Sequence, residues 1–188
     1  VGAGLSGIEL ASELRESRSD LEILLYDRGP RILRNFPEKL SKYISKWFSK
    51  HDVTVVPNSV IDRVEPGKIY NNGQPEDIDL VVWTAGIQPV EVVRNLPIDL
   101  SNTGRVILNQ YHQVPTYKNV YVVGDCADLP HAPSAQLAEL QGDQIADVLK
   151  KQWNNESLPD KMPEIKIQGF LGSLGDKQGF AYIMDRTV

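Results

Sequence analysis

The chain has 188 residues, 41% hydrophobic and 24% charged, which suits a globular protein of one full domain or a domain and part of another. Its formal net charge of -5 gives no electrostatic case for a nucleic-acid partner, and it holds no run of about 18 apolar residues that could span a bilayer. The single cysteine, Cys126, can make no internal disulfide and no CxxC redox pair, so a reducing cytosol is its natural compartment.

The chain opens on a glycine-rich turn, and Leu5, Ile8, Ala11 and Leu14 then recur at helical spacing, predicting a helix from Leu5 to Arg15. Leu21 to Tyr26 (LEILLY) has strand length, and Asp27 closes it before Gly29-Pro30 breaks the chain. Glu38 to Lys50 predicts an amphipathic helix with Leu40, Tyr43, Ile44, Trp47 and Phe48 on one stripe and lysines opposite. Val53 to Val64, Lys68 to Tyr70 and Ile78 to Trp83 predict strands, with Asn71-Asn72-Gly73 as a hairpin turn.

A short helix near Val90 to Asn95, a small strand at Val106 to Leu108 and a buried strand at Asn119 to Val123 follow. Ala135 to Lys151 predicts another helix, Trp153 to Pro163 a polar linker, and Ile165 to Met184 strands and turns. Strands alternating with helices indicate an α/β fold, with a strand cluster at Val53 to Tyr70 as an inserted β-meander.

Chemistry concentrates in a few places. Gly2-Ala3-Gly4-Leu5-Ser6-Gly7 fits the G-x-G-x-x-G turn of Rossmann-like NAD(P)-binding domains. There the glycines permit a tight turn, close approach of a pyrophosphate and close helix–strand packing, and the helix N-terminus faces the phosphates. Asp27 lies about 20 residues past the last glycine, where a ribose-binding acid belongs. A carboxylate there accepts from ribose hydroxyls and repels a 2′-phosphate, which favours NADH over NADPH; Arg28 and Arg31 weigh the other way. Glu9, two residues beyond the turn, reads from spacing alone as a surface glutamate. Ala85 and Gly86 end an apolar run and leave room over a sheet, or mark an ordinary strand exit. Gly124-Asp125 puts a carboxylate where a polyol or ribose chain could use it, and Ser134 can cap the helix that opens at Ala135-Gln136. Spacing leaves that pair equally readable as a loop before a capped helix.

Taken in order, GAGLSGIE (Gly2 to Glu9), YDRGPRIL (Tyr26 to Leu33), WTAGIQP (Trp83 to Pro89), VYVVGDCADLP (Val120 to Pro130) and SAQLAELQG (Ser134 to Gly142) resemble the two-dinucleotide-domain flavoproteins that include the disulfide reductases. The AQxAxxQG and GDCA runs are most similar to the type II NADH dehydrogenases, which are NADH:quinone oxidoreductases. GFLGSLG at Gly169 to Gly175 resembles that family's C-terminal sheet, so the resemblance covers about residues 1 to 185. It implies FAD and NAD as cofactors and hydride passage from NADH to FAD and on to a quinone. Gly2, Ala3, Gly4, Leu5, Ser6 and Gly7 would then cradle NADH, with Glu9 on the nicotinamide side, Asp27 and Arg28 at the adenosine ribose, and Ala85 and Gly86 lining the cleft. Gly124 and Asp125 would hold the FAD ribityl chain, and Ala135, Gln136 and Leu137 would meet the flavin ring, with Gln136 near the quinone.

The expected organisation is an NADH-binding domain at 1–88, the second part of a FAD-binding domain at 89–152, and a linker with the start of a small C-terminal β region at 153–188. A first glycine turn for FAD is absent, so the chain is expected to be a fragment that alone binds FAD weakly or not at all and lacks quinone reductase activity. The resemblance further implies a parent protein peripheral on the cytoplasmic face of the cell membrane, and an orphaned sheet edge makes a homodimer a candidate. The rival readings are a same-fold reductase with a soluble acceptor, of ferredoxin or nitrite reductase type, and a non-catalytic nucleotide-binding module.

Overall fold

The computed structural model describes residues 1–183 together with the backbone of Arg186 and Thr187. The chain divides into two compact units: Val1–Gly86 with Gln168–Val188, and Ile87–Ile167.

The first unit is built on a β–α–β crossover. Strand β1 (Ile23–Tyr26) runs parallel to β2 (Val53–Val56), with Ile23 opposite Val53 and Tyr26 opposite Val56. A parallel pair requires a crossover, supplied here by helix α2 (Glu38–Lys50). The buried stripe of α2 is Leu40, Ser41, Ile44, Trp47 and Phe48. Tyr43, expected on that stripe, is 45% exposed. Ser41 takes its place because its Oγ donates to the Ile32 carbonyl at 2.8 Å. Helix α1 (Leu5–Ser17) buries Gly7, Ile8, Ala11 and Ser12. Together these elements bury Ala3, Ile8, Leu25, Ile32, Leu40, Ile44, Phe48 and Val53 in one apolar core. Burial of each large side chain stabilises the fold by about 1.5–3 kcal/mol.

The expected continuous strand from Val53 to Val64 is two strands. Pro57 cannot donate to a ladder and Asn58 adopts a positive φ of 54°, so the chain breaks before β3 (Ile61–Glu65). β3, β4 (Lys68–Asn71) and β5 (Gln74–Asp77) form an antiparallel meander. Asn72 and Gly73, both at positive φ, make the turn between β4 and β5. Ile78 to Trp83 is not a strand. Its strand-like bonds go to Val1, whose terminal amine donates to the Val82 carbonyl and whose carbonyl accepts from the Thr84 N–H. Within this segment Leu80 is 78% exposed. A cavity of about 490 Å3 opens between this segment and β1, lined by Leu10, Leu14, Leu24 and Ile69 among others.

In the second unit, helix α3 (Glu91–Arg94) is short, and the expected strand at Val106 to Leu108 reduces to bridges from Val106 to Leu100 and Ala127. The expected buried strand at Asn119 to Val123 is β7 (Tyr117–Tyr121), paired with β6 (Gln113–Val114) and largely exposed. Among the described residues β7 has a partner on one edge only, so its apolar residues gain no central-sheet burial. Helix α4 (Ala135–Trp153) follows, capped by Ser134, whose Oγ accepts from the Leu137 N–H at 3.2 Å.

The C-terminal hairpin of β8 (Gly169–Leu174) and β9 (Gln178–Ile183), with Arg186–Thr187 (β10) alongside, returns to the first unit. Leu174 and Phe180 join its core, and Phe170 meets Phe36 edge-on at 4.8 Å. Met184, the expected end of this region, lies outside the described residues.

Candidate dinucleotide cleft

The glycine turn packs as its sequence requires. Gly2 stands at φ 104° and donates to the Tyr26 carbonyl at 2.8 Å, which ties the turn to the end of β1. A Cβ at Gly2 would lie 2.8 Å from the Ala85 backbone, and one at Gly7 would collide with the Gly2 carbonyl oxygen. Around Gly4 the situation is opposite: a Cβ there would meet nothing within 4 Å. Gly4 is the N-cap of α1, extended in backbone and without a side-chain cap. The first N–H groups of a helix lack intrahelical partners, so α1 offers donors and a positive dipole end to an anion approaching over Gly4.

A cleft of about 490 Å3 opens there, a volume suited to a small ligand. Its lining includes Gly2, Ala3, Gly4, Asp27, Arg28, Ala85 and Gly86, so seven of the residues nominated from sequence share one cavity. Arg34, Asn35, Phe36, Ser59 and Trp83 also line it and were not nominated. They lie in loops and at segment ends whose positions no periodicity predicts; Trp83 opens the quoted WTAGIQP run and Arg34 adjoins YDRGPRIL, which was the available signal.

Asp27 does more than face the cleft. Its Oδ2 accepts from the Ala3 N–H and its Oδ1 from the Gly29 N–H, each at 2.7 Å. Bonds this short to an ionised acceptor are the strong class, and each oxygen retains a lone pair for a ribose hydroxyl. Arg31 is committed elsewhere. Its guanidinium donates to the Leu33, Arg34 and Phe36 carbonyls, each at 2.8 Å, bracing the loop after β1. That removes Arg31 from the arginines that could weigh towards a 2′-phosphate and leaves Arg28.

Leu5 and Ser6 stand at the opening of α1, half-buried and exposed respectively. Glu9 is oriented by the C-terminal hairpin: its Oε1 accepts from the Ser173 N–H at 3.1 Å. Behind the cleft, buried Tyr26 donates to Glu76 at 2.5 Å, and Asn71 donates to the other oxygen of Glu76 at 2.9 Å. Burial first, then the Glu76 carboxylate, push the Tyr26 hydroxyl well above the usual tyrosine range.

The second unit holds the remaining nominated residues. Gly124 and Asp125 form a 3-10 turn with Cys126, and Asp125 is exposed. Gln141, fully buried on α4, accepts the Gly124 N–H on its Oε1 at 2.8 Å. Its Nε2 is buried without a partner. Gln141 was not nominated, although the quoted run contains it. Ala135 is exposed, Gln136 half-buried and Leu137 buried at the start of α4. The exposed Asp125 carboxylate and the unpartnered Gln141 amide nitrogen are an acceptor and a donor of the kinds a flavin's ribityl chain requires. Among the described residues no His, Cys, Asp and Glu cluster could hold a metal ion.

The family model for pyridine nucleotide-disulphide oxidoreductases matches residues 1–142. The chain belongs to that family. It is 56% identical over all 188 residues to the NADH dehydrogenase-like protein YutJ of Bacillus subtilis, covering 53% of that relative. It is 26% identical to the type II NADH:quinone oxidoreductase of Haemophilus influenzae, with 95% of this chain and 47% of that relative covered. The chain thus spans about half the length of these relatives. Among solved structures, NDH2 of Plasmodium falciparum in complex with NADH superposes with a TM-score of 0.79 at 13% identity, covering 100% of this chain and 57% of that one. At that identity the match speaks for the fold, which is the Rossmann-like α/β architecture read from the sequence.

Proposed function

We propose that the chain is the NADH-accepting part of a FAD-dependent, type II NADH:quinone oxidoreductase. The observation that carries this reading is the cleft in which the open Gly4 backbone, the uncapped start of α1 and the Asp27 carboxylate converge. These groups match two adjoining parts of a dinucleotide: donors and a positive dipole for the pyrophosphate, acceptors for the adenosine ribose hydroxyls. Ala85 and Gly86 leave the nicotinamide end uncrowded, and Glu9 stands further along α1. FAD, when bound, supplies the two-electron acceptor for the hydride. Asp125 and Gln141 would hold its ribityl chain, with Ala135, Gln136 and Leu137 towards the ring.

The names of the relatives support a quinone as acceptor. We read 1–88 as the NADH-binding domain, 89–152 as the second part of a FAD-binding domain, and 153–188 as the linker and start of a C-terminal β region. We place the parent protein peripherally on the cytoplasmic face of the membrane, where a quinone is reached, and as a homodimer. Among the described residues no helix is long and apolar enough to cross a membrane. Trp83 lines the cleft, so NADH should quench tryptophan emission of this chain saturably, and ADP-ribose should reverse it. In the parent protein, NADH oxidation should be coupled to a soluble quinone analogue in preference to ferredoxin. Absence of saturable quenching would sink the cleft assignment, and preference for ferredoxin would sink the quinone assignment.

A further inference from the structure

Tyr26 belongs to the lining of the cleft, yet its hydroxyl engages the β-meander. It donates to Glu76 Oε2 at 2.5 Å, from the end of β1 to β5, and Asn71 of β4 donates to the other carboxylate oxygen at 2.9 Å. The meander and the β1–β2 pair share no strand pairing, so this carboxylate ties together two separate sheets. A phenylalanine would bury an equivalent ring at this position. The hydroxyl adds the tie, a hydrogen bond of the strong class to an acidic acceptor.

Both ends of the tie lead to the cleft. Asn72, next to Asn71, holds the segment opposite: its N–H donates to the Val60 carbonyl at 2.8 Å, its Oδ1 accepts from the Val60 N–H at 3.2 Å, and its Nδ2 donates to the Asn58 carbonyl at 3.1 Å. Ser59, Val60 and Ile61 form a wall of the cleft. At the other end the Tyr26 carbonyl accepts from the Gly2 N–H at 2.8 Å, and the carbonyl of the adjacent Asp27 accepts from the Ser59 N–H at 2.9 Å. Glycine turn, acid and wall are therefore joined through one residue. A binding site keeps its geometry when such supporting bonds lock the groups that line it.

We propose that Tyr26, acting through Glu76 and Asn71, is a positioning residue that sets the meander wall against Asp27 and so fixes the width of the cleft for its ligand. This rests on the reading of the cleft as a dinucleotide site. Tryptophan quenching by NADH, with AMP as competitor, tests it on the 188-residue chain. Tyr26→Phe and Glu76→Ala should each weaken NADH and AMP by the same factor of about fivefold, equivalent to about 1 kcal/mol. The double variant should lose no more than either single one, because the two side chains form one tie. Glu76→Gln should stay within twofold of wild type. Its amide oxygen accepts from Tyr26, and its amide nitrogen meets the Asn71 Oδ1, which is buried without a partner, once the Asn71 amide turns over. Tyr26→Phe retains the buried ring, so circular dichroism should be unchanged. If NADH saturates every variant within twofold of wild type, even where the urea midpoint drops, Tyr26 serves stability alone; the proposal is then overturned and the NADH site stands. It is equally overturned if the two losses multiply in the double variant, or if Glu76→Gln loses as much as Glu76→Ala. If NADH gives no saturable quenching of the wild type, the cleft assignment falls and this proposal with it.

Discussion

Asp27→Ala should unfold the chain at markedly lower denaturant, independent of any ligand. The carboxylate accepts from Ala3 and Gly29, each at 2.7 Å, and both residues are buried. A hydrogen bond to a charged group contributes about 1.5–3 kcal/mol, and an orphaned buried donor costs about 1–3 kcal/mol. Water entering from the open cleft offsets part of the loss, so about 3 kcal/mol is expected for Asp27→Ala, against a total of about 5–15 kcal/mol for a typical domain. With a urea dependence of about 2 kcal/mol per molar, the midpoint falls by about 1.5 M. Asp27→Asn keeps one acceptor but turns an amide donor towards a second donor, so it should fall between the alanine variant and wild type. Urea titration followed by circular dichroism, without dinucleotide, measures this directly. A carboxylate serving only a ribose would leave the midpoint in place, so a shift below about 0.3 M for Asp27→Ala refutes the reasoning.

Gly4→Ala and Gly7→Ala should separate ligand space from packing space. Gly4→Ala, with nothing within 4 Å of the new methyl, should fold normally yet weaken NADH by tenfold or more, whereas Gly7→Ala should destabilise the fold by about 1–3 kcal/mol or more through collision with the Gly2 carbonyl. In spectrophotometric titration one of the seven tyrosines should ionise above the others, and Tyr26→Phe should remove that late component. Because folding raises the Tyr26 pKa above its ordinary value of 10.0, its contribution is complete below pH 10 and is lost as pH rises further, so wild type and Tyr26→Phe should converge in stability in strong alkali. Ser134→Ala should destabilise the second unit by about 1 kcal/mol, read by denaturant melting, through loss of the α4 cap.

Much of this was legible in the sequence where local signals agree. Helix α2 has its expected bounds because an apolar stripe, an opposing row of lysines and Pro37 ahead of Glu38 agree. The glycine turn and Asp27 were legible because spacing and chemistry coincide. Strand assignment failed for Ile78 to Trp83, and for Asn119 to Val123 it was burial that failed: the strand forms as β7, but among the described residues it pairs on one edge only and stays largely exposed. Arg31 and Gln141 were illegible for a different reason. A guanidinium that reaches three carbonyls, or a buried amide that holds Gly124, acts through distances in space that a linear pattern does not encode.

The double engagement of Asp27 bears on how selectivity can be altered in this cleft. In the simple picture, removing the strand-end acid admits a 2′-phosphate and keeping it excludes one. Here the same carboxylate fastens Ala3 within the glycine turn and Gly29 in the following loop, so its removal loosens the turn itself along with one face of the cleft. Among the described residues the Arg34 side chain makes no hydrogen bond or ion pair, and its stem lies against the spot that Asp27 flanks. A substitution at Arg34 therefore changes what the ligand meets while the turn stays intact. Asp27→Ala should accordingly weaken NADH and NADPH together, even though it removes the one negative charge that faces the phosphate.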